Sequence, residues 1–179
     1  MPHAHESSSV PAPFLVENIS LLPKGRVLDI AMGNGRNAVY LAKMGFKVEG
    51  VDFSAEAISQ AREAANKAGV AIKAEVANLE KDYRIPEETY DVIICFNYLQ
   101  RSLIPQIKRG IRPGGMVVYE TFLVDQAQWG KPKNPDFLLK HNELLDLFRD
   151  FRVLRYREGL FTNDKGDQRA IASIIAQKV

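Results

Sequence analysis

Four residues carry most of the chemistry legible in this chain: Asp29, Gly33, Gly35 and Asp52. In residues 27–38 (VLDIAMGNGRNA) a β-rich run enters a glycine turn that opens a helix. Gly33 and Gly35 let the backbone approach a ligand closely. Asp52 follows about 20 positions after the turn, where a carboxylate accepts from the two hydroxyls of a ribose. Phe53, beside it, reads either as a cover for a purine face or as ordinary core. Residues 33–38 also fit G-x-G-x-x-A, so the glycines alone do not choose a cofactor. Asp29 helps to choose. A pyrophosphate wants helix N–H donors and no nearby carboxylate. At ~4 Å and an effective dielectric near 20, two unit charges interact by about 4 kcal/mol before solvent discounts it. A carboxylate at the strand end therefore disfavours a phosphate and favours a cation.

The elements that must position these residues alternate in type. Strands are predicted over 26–30, 46–51, 71–76, 90–96, 116–121, 151–157 and 170–177. Helices are predicted over 38–44, from a Ser54 cap to Gly69, over 102–111 near Pro105, and from an Asn142 cap to residue 148. The middle of the chain reads as a parallel sheet with crossover helices, and the end as an antiparallel hairpin. Pro113-Gly114-Gly115 is a turn signal, and 122–139 a long irregular excursion of the kind that is often functional. The Phe14-Leu15-Val16 patch is either part of a lid or packing against the sheet.

Length and composition bound the rest. The 179 residues suit one domain, expected over 14–179 after a flexible tail at 1–13. A net charge of +2 gives no support for a general nucleic-acid or membrane binder. The lone Cys95 excludes an internal disulfide and a cysteine-based zinc cluster. His3 and His5 read as solvated tail residues, and no metal site is expected. There is no targeting pattern and no apolar stretch near the ~20 residues of a bilayer span, so a cytoplasmic protein is expected.

S-adenosylmethionine meets the requirement set by Asp29, since it carries an ammonium and a sulfonium and no phosphate. The run VLDIAMGNGRNAVYLA, followed by VEGVDFS, VANLE, YDVIICF and IRPGGMVVYETF, resembles a class I S-adenosylmethionine-dependent methyltransferase. The GNGRNAVYLA segment is most similar to the small bacterial tellurite-resistance-type methyltransferases. The resemblance covers about residues 24–122. It implies a Rossmann-like α/β fold: seven strands, mostly parallel, ordered 3-2-1-4-5-7-6, with a C-terminal antiparallel hairpin and helices on both faces. It also implies a cofactor site of Asp29, Ala31, Gly33, Gly35, Arg36, Asp52, Phe53, Asn78, Leu79, Cys95, Phe96 and Asn97. Ala31 stands where the family has its first glycine, and Asn78 where it usually has an acidic residue near adenine.

Methyl transfer from a sulfonium is an in-line displacement, so alignment and water exclusion matter more than a dedicated catalytic group. No catalytic residue is assigned; His141, Tyr98 and Arg101 are the candidates. Tyr98, Gln100, Arg101, Trp129, Asn134 and Phe137 are the candidate acceptor residues, on loops that follow strands. Arg101 is read either as an anion clamp or as a surface arginine. Cys95 reads as core, and Arg152, Arg155 and Arg157 as a solvated face. The expected partner is a small-molecule acceptor: an anion or a thiol, or the metalloid oxyanion that the resemblance implies. An NAD(P)-dependent oxidoreductase and a non-catalytic S-adenosylmethionine-binding module are the alternatives.

Overall fold

The computed structural model describes residues 8–179; His3 and His5 lie outside them. In chain order the elements are α1 (Pro13–Glu17), β1 (Arg26–Ile30), α2 (Arg36–Lys43), β2 (Lys47–Asp52), α3 (Ala55–Ala68), β3 (Lys73–Val76), β4 (Tyr90–Phe96), α4 (Ile104–Gly110), β5 (Ile111–Phe122), α5 (Glu143–Leu147), β6 (Arg152–Thr162) and β7 (Gln168–Gln177). The strands form one sheet ordered β3-β2-β1-β4-β5-β7-β6. Strands β1 to β5 pair in parallel, and β7 runs antiparallel to both neighbours. This is the Rossmann-like order expected from the sequence.

Strand alternation divides the core into two layers. Leu28, Ile30, Ile93, Cys95, Val117 and Tyr119 face one side, where α4 and α5 supply Ile104, Ile107 and Leu144. Val27, Val48, Val92, Ile94 and Val118 face the other, under Phe14, Leu41 and Ile58 of α1, α2 and α3. Helices thus cover both faces. The near-continuous apolar run of β4 follows from this burial on both sides.

Local rules explain the boundaries. The Ser54 hydroxyl accepts from the Ala57 amide at 3.1 Å, and Gly69 ends α3 in the left-handed region. Pro105 lies in the first turn of α4. Asn142 takes the N-cap position of α5, but its side chain does not cap: its φ is +65°, and its amide donates to Glu158 instead. Pro113-Gly114-Gly115 interrupts no strand. It is a bulge within β5, where Tyr90 pairs with Ile111 and Val92 with Met116. β6 runs on to Thr162, further than the sequence suggests, because its later residues are held by pairing with β7 rather than by an apolar pattern.

Residues 8–13 do not behave as the expected tail. Ala12 is buried, and its amide donates to the Oδ1 of buried Asn37 at 2.8 Å. Asn34 donates to the Ser8 carbonyl and Arg36 to the Val10 carbonyl. Phe14 and Leu15 pack on the sheet, as one of the two sequence readings had it. The N-terminal segment is therefore strapped across the start of α2. Replacing Asn37→Ala removes a buried acceptor and leaves the Ala12 amide unpaired, at a cost of about 1–3 kcal/mol. Hydrogen exchange at the Ala12 amide should accelerate; unchanged exchange would show that the strap does not depend on Asn37.

Candidate cofactor and acceptor site

The turn after β1 is built from backbone amides. The Met32 amide donates to the Val51 carbonyl, the Gly33 amide to Asp52 Oδ2 at 2.9 Å, and the Gly35 amide to the Met32 carbonyl. Asp52 Oδ1 accepts from the Ser54 amide at 2.9 Å. Asp52 therefore fastens the end of β2 to the glycine turn while each oxygen keeps a further lone pair. Ala31 and Gly33 both have φ +55° and Gly35 has φ +82°. Ala31 thus occupies the left-handed region that its place in the glycine pattern implied. The sequence reading left Gly50 without a role, yet a Cβ there would meet Met32 Sδ at 2.3 Å. It lets Met32 fill the space beneath the turn.

Asp29 is 2% exposed, and its Oδ2 has no hydrogen-bond partner among the described residues. Burial pushes its carboxyl up to about 8, against the opposing pull of Arg36 and with a smaller push from Asp52. Asp29 is therefore not the standing negative charge that its place in the sequence suggests. In the folded protein the carboxyl is mostly protonated near pH 7, and a cation beside it draws the proton off. A phosphate would bring no such gain, so the preference for a cation survives in a conditional form.

The other expected cofactor residues are distributed around the carboxyl ends of β2, β3 and β4. Phe53 is 74% exposed, which removes its reading as core. Asn78 turns the chain: its Oδ1 accepts from the Glu80 amide, and its carbonyl from the amides of 81, 82 and 83. Its side-chain oxygen is thus partly spent, and the amide is the better-placed group for a ligand. Leu79 is buried. Cys95 is fully buried with its thiol pushed up to about 12 by burial, so it is core as expected and carries no thiolate. Phe96 is buried, and Asn97 is exposed at φ +60° with its amide on the Glu120 carbonyl.

The acceptor candidates do not converge. Tyr98 donates to Gln100 Oε1 at 2.6 Å, and burial raises the phenol to about 12, which argues against a base at neutral pH. Gln100 donates to the Leu79 carbonyl. Arg101 is a strut rather than a clamp. Its guanidinium grips both Glu143 oxygens and the carbonyls of Asp136 and Leu138. It pins the 122–139 excursion to the sheet. Asn134 accepts from the Asp136 amide, and Phe137 is half-exposed. Trp129 and His141 line a separate cavity of about 580 Å³ between the excursion and the hairpin. There His141 meets Asp125 at 2.5 Å, and that contact holds the imidazole above its usual range.

The sequence reading missed a polar group on the same face as Asp29. Glu120 of β5 is 2% exposed and accepts from the Ser173 hydroxyl at 2.6 Å. Arg157 and Arg169 approach it at 3.5 and 4.0 Å. Arg169 also donates to Asn97 Oδ1. Arg157 is thus not part of a solvated face; its guanidinium lies over the rings of Phe14 and Phe161. One signal was available: Glu120 is the lone charge in residues 116–122 (MVVYETF), a largely apolar run.

Residues 27–115 match a family described as a methyltransferase domain. A ubiquinone biosynthesis O-methyltransferase of Aliivibrio fischeri is 30% identical over 122 residues, 65% of this chain and 52% of the relative. A probable S-adenosyl-L-methionine-dependent methyltransferase, TehB of Haemophilus influenzae, is 24% identical over 164 residues, 86% of this chain and 55% of the relative. The chain spans about half the length of these curated relatives. The crystal structure of Haemophilus influenzae TehB superposes with a TM-score of 0.79 at 22% identity, covering 94% of this chain and 62% of that one. A geranyl diphosphate methyltransferase in complex with GPP and sinefungin gives 0.70 at 19% identity, over 93% and 77%.

The turn should answer a graded substitution series read by chemical denaturation. Gly35→Ala sets a Cβ 2.8 Å from that of Ala61 in the left-handed region, and should cost more than about 2 kcal/mol. Gly33→Ala meets open space and should cost only its backbone strain, about 1–2 kcal/mol. Ala31→Gly trades relief of that strain against chain entropy and should lie within about 1 kcal/mol of the parent. A Gly35→Ala protein as stable as the parent would refute this packing account.

Proposed function

Since the chain belongs to the class I S-adenosylmethionine-dependent methyltransferases, we propose that it methylates a small-molecule acceptor by in-line displacement. The observation that carries this reading is the buried, unpartnered carboxyl of Asp29 beside a turn of backbone amides. An orphaned acid there suits an α-ammonium and gives a phosphate nothing. Asp52 takes the ribose hydroxyls with the lone pairs left over from the Gly33 and Ser54 amides. Phe53 and Leu79 flank the adenine, with the Asn78 amide at its edge. Residues 95–97 run beneath the methionine part, and Ala31, Gly33, Gly35 and Arg36 close the turn around it.

Bound there, S-adenosylmethionine supplies an electrophilic methyl group. An acceptor held in line with it would take the methyl group through its lone pair, with S-adenosylhomocysteine as the leaving product and any acceptor proton passing to solvent. The chain contributes alignment and a dry wall, which suffice for a displacement of this kind. No general base is assigned: Tyr98 is an engaged donor, Arg101 is a strut, and His141 lies in the separate cavity.

The test is calorimetry with S-adenosylmethionine, S-adenosylhomocysteine and NADH. The first two should bind; binding of NADH alone would overturn the reading. Binding also has a pH signature. Asp29 is protonated below about 8 and must ionise to pair with an ammonium. Affinity for S-adenosylmethionine should therefore rise with pH towards 8, by at most roughly tenfold per unit, and then level off. Asp29→Asn should lower affinity and flatten that rise; an unaltered slope would remove Asp29 from the ammonium.

A further inference from the structure

Three guanidinium groups gather at the carboxyl end of β5 around one buried carboxylate. Arg157 and Arg169 lie 3.5 and 4.0 Å from Glu120. Arg36, at the start of α2, is close enough for Asp29, Glu120 and Arg169 to bear on its ionisation, and burial lowers its proton affinity. The single carboxylate already accepts from Ser173. Besides the Glu120 contacts, Arg157 donates to Ser173 at 3.4 Å and Arg169 to Asn97, while Arg36 donates to the Val10 carbonyl. Three partly buried cations around one carboxylate leave an excess of positive charge that is costly, and an anion relieves it. Planar guanidinium forks pair with the two oxygens of a carboxylate or phosphate.

The walls add a second requirement. Arg157 is stacked between Phe14 and Phe161, with centroids 5.1 and 4.7 Å from its carbon, and Arg169 lies over Phe122 at 5.1 Å. Stacking on rings restricts the guanidinium planes while leaving their N–H edges able to donate. Apolar rings beside those edges reward a ligand with a carbon body. A small inorganic oxyanion is strongly hydrated and gains nothing from them. Asn97 joins this recess to the end of β4, and Arg36 joins it to Asp29.

We infer that the methyl acceptor is an organic anion whose carboxylate or phosphate is held by Arg36, Arg157 and Arg169. This rests on the methyl-transfer reading, and it goes further by naming the class of acceptor and the residues that select it. The anion is the handle, and the atom that receives the methyl group lies elsewhere on the same molecule.

The test begins with S-adenosylhomocysteine binding to the full chain without any anion. Failure at that step overturns the methyl-transfer reading and leaves the arginine recess to be probed on its own. Benzoate, benzamide, phenyl phosphate and selenite are then titrated by calorimetry. Benzoate or phenyl phosphate should bind at least about tenfold more tightly than isosteric benzamide. Arg157→Gln and Arg169→Gln should each erase most of that preference while S-adenosylhomocysteine affinity stays within about twofold. Glu120→Gln keeps the acceptor for Ser173 but removes the competing charge, so it should strengthen the preference severalfold. A purely structural arginine cluster would not respond in that direction. Equal binding of benzamide and benzoate, no binding of either organic anion, or selenite binding alone would each overturn the inference.

Discussion

A buried carboxyl group with one oxygen unpartnered among the described residues is the constraint around which this structure is arranged. Asp29 belongs to β1, between β2 and β4, with Gly50 and Ile94 as its register neighbours. Such a group is tolerated because it can hold its proton, which burial makes easy. The surrounding strands and the turn of amides then fix its position without neutralising it. A hydrogen-bond donor from the protein would make the fold more comfortable and the turn less useful. That uncompensated group is the observation on which the proposed cofactor site rests.

The same logic organises the polar end of one sheet face. Strand alternation puts Asp29, Glu120 and Ser173 on the side of α1, α2 and α3, above the apolar layer of Val92, Ile94 and Val118. The antiparallel return of β7 is what delivers Arg169 to this end, because its first residues pair beside the last residues of β5. Arg157 arrives by the hairpin, opposite Ser173. On the other face, the same stretch of hairpin presents Ala170 and Leu160 to the cavity that holds Trp129 and His141.

Much of this was legible in the sequence, for physical reasons. The apolar run of β4, the Ser54 cap and Gly69 each encode a local preference strong enough to survive any tertiary context. The glycine turn and Asp52 were legible because they reflect close backbone approach. Ala31 was legible as a misfit, and its positive φ is that misfit realised. The side-chain partners were not legible. Arg101 meets Glu143 across 42 residues, and Arg169 meets Asn97 across 72. No local pattern specifies such pairings; they depend on how the excursion and the hairpin fold back. The strap at residues 8–13 was missed for the same reason, since its anchors are side chains of α2 and its own composition is that of a tail.

The strap has a practical consequence. Its contacts through Asn34, Arg36 and Asn37 reach the first turn of α2, directly behind the glycines. The other end of the chain is remote from all of this: Lys178 exchanges backbone hydrogen bonds with Gly114 and Gly115, beside the amino end of β5. The two ends are therefore unequal as attachment points. A change in residues 8–12 bears on the glycine turn and the start of α2 through three hydrogen bonds. A fusion partner or affinity handle appended after Val179, which is exposed, leaves from the opposite end of the parallel strands, beside the start of β5.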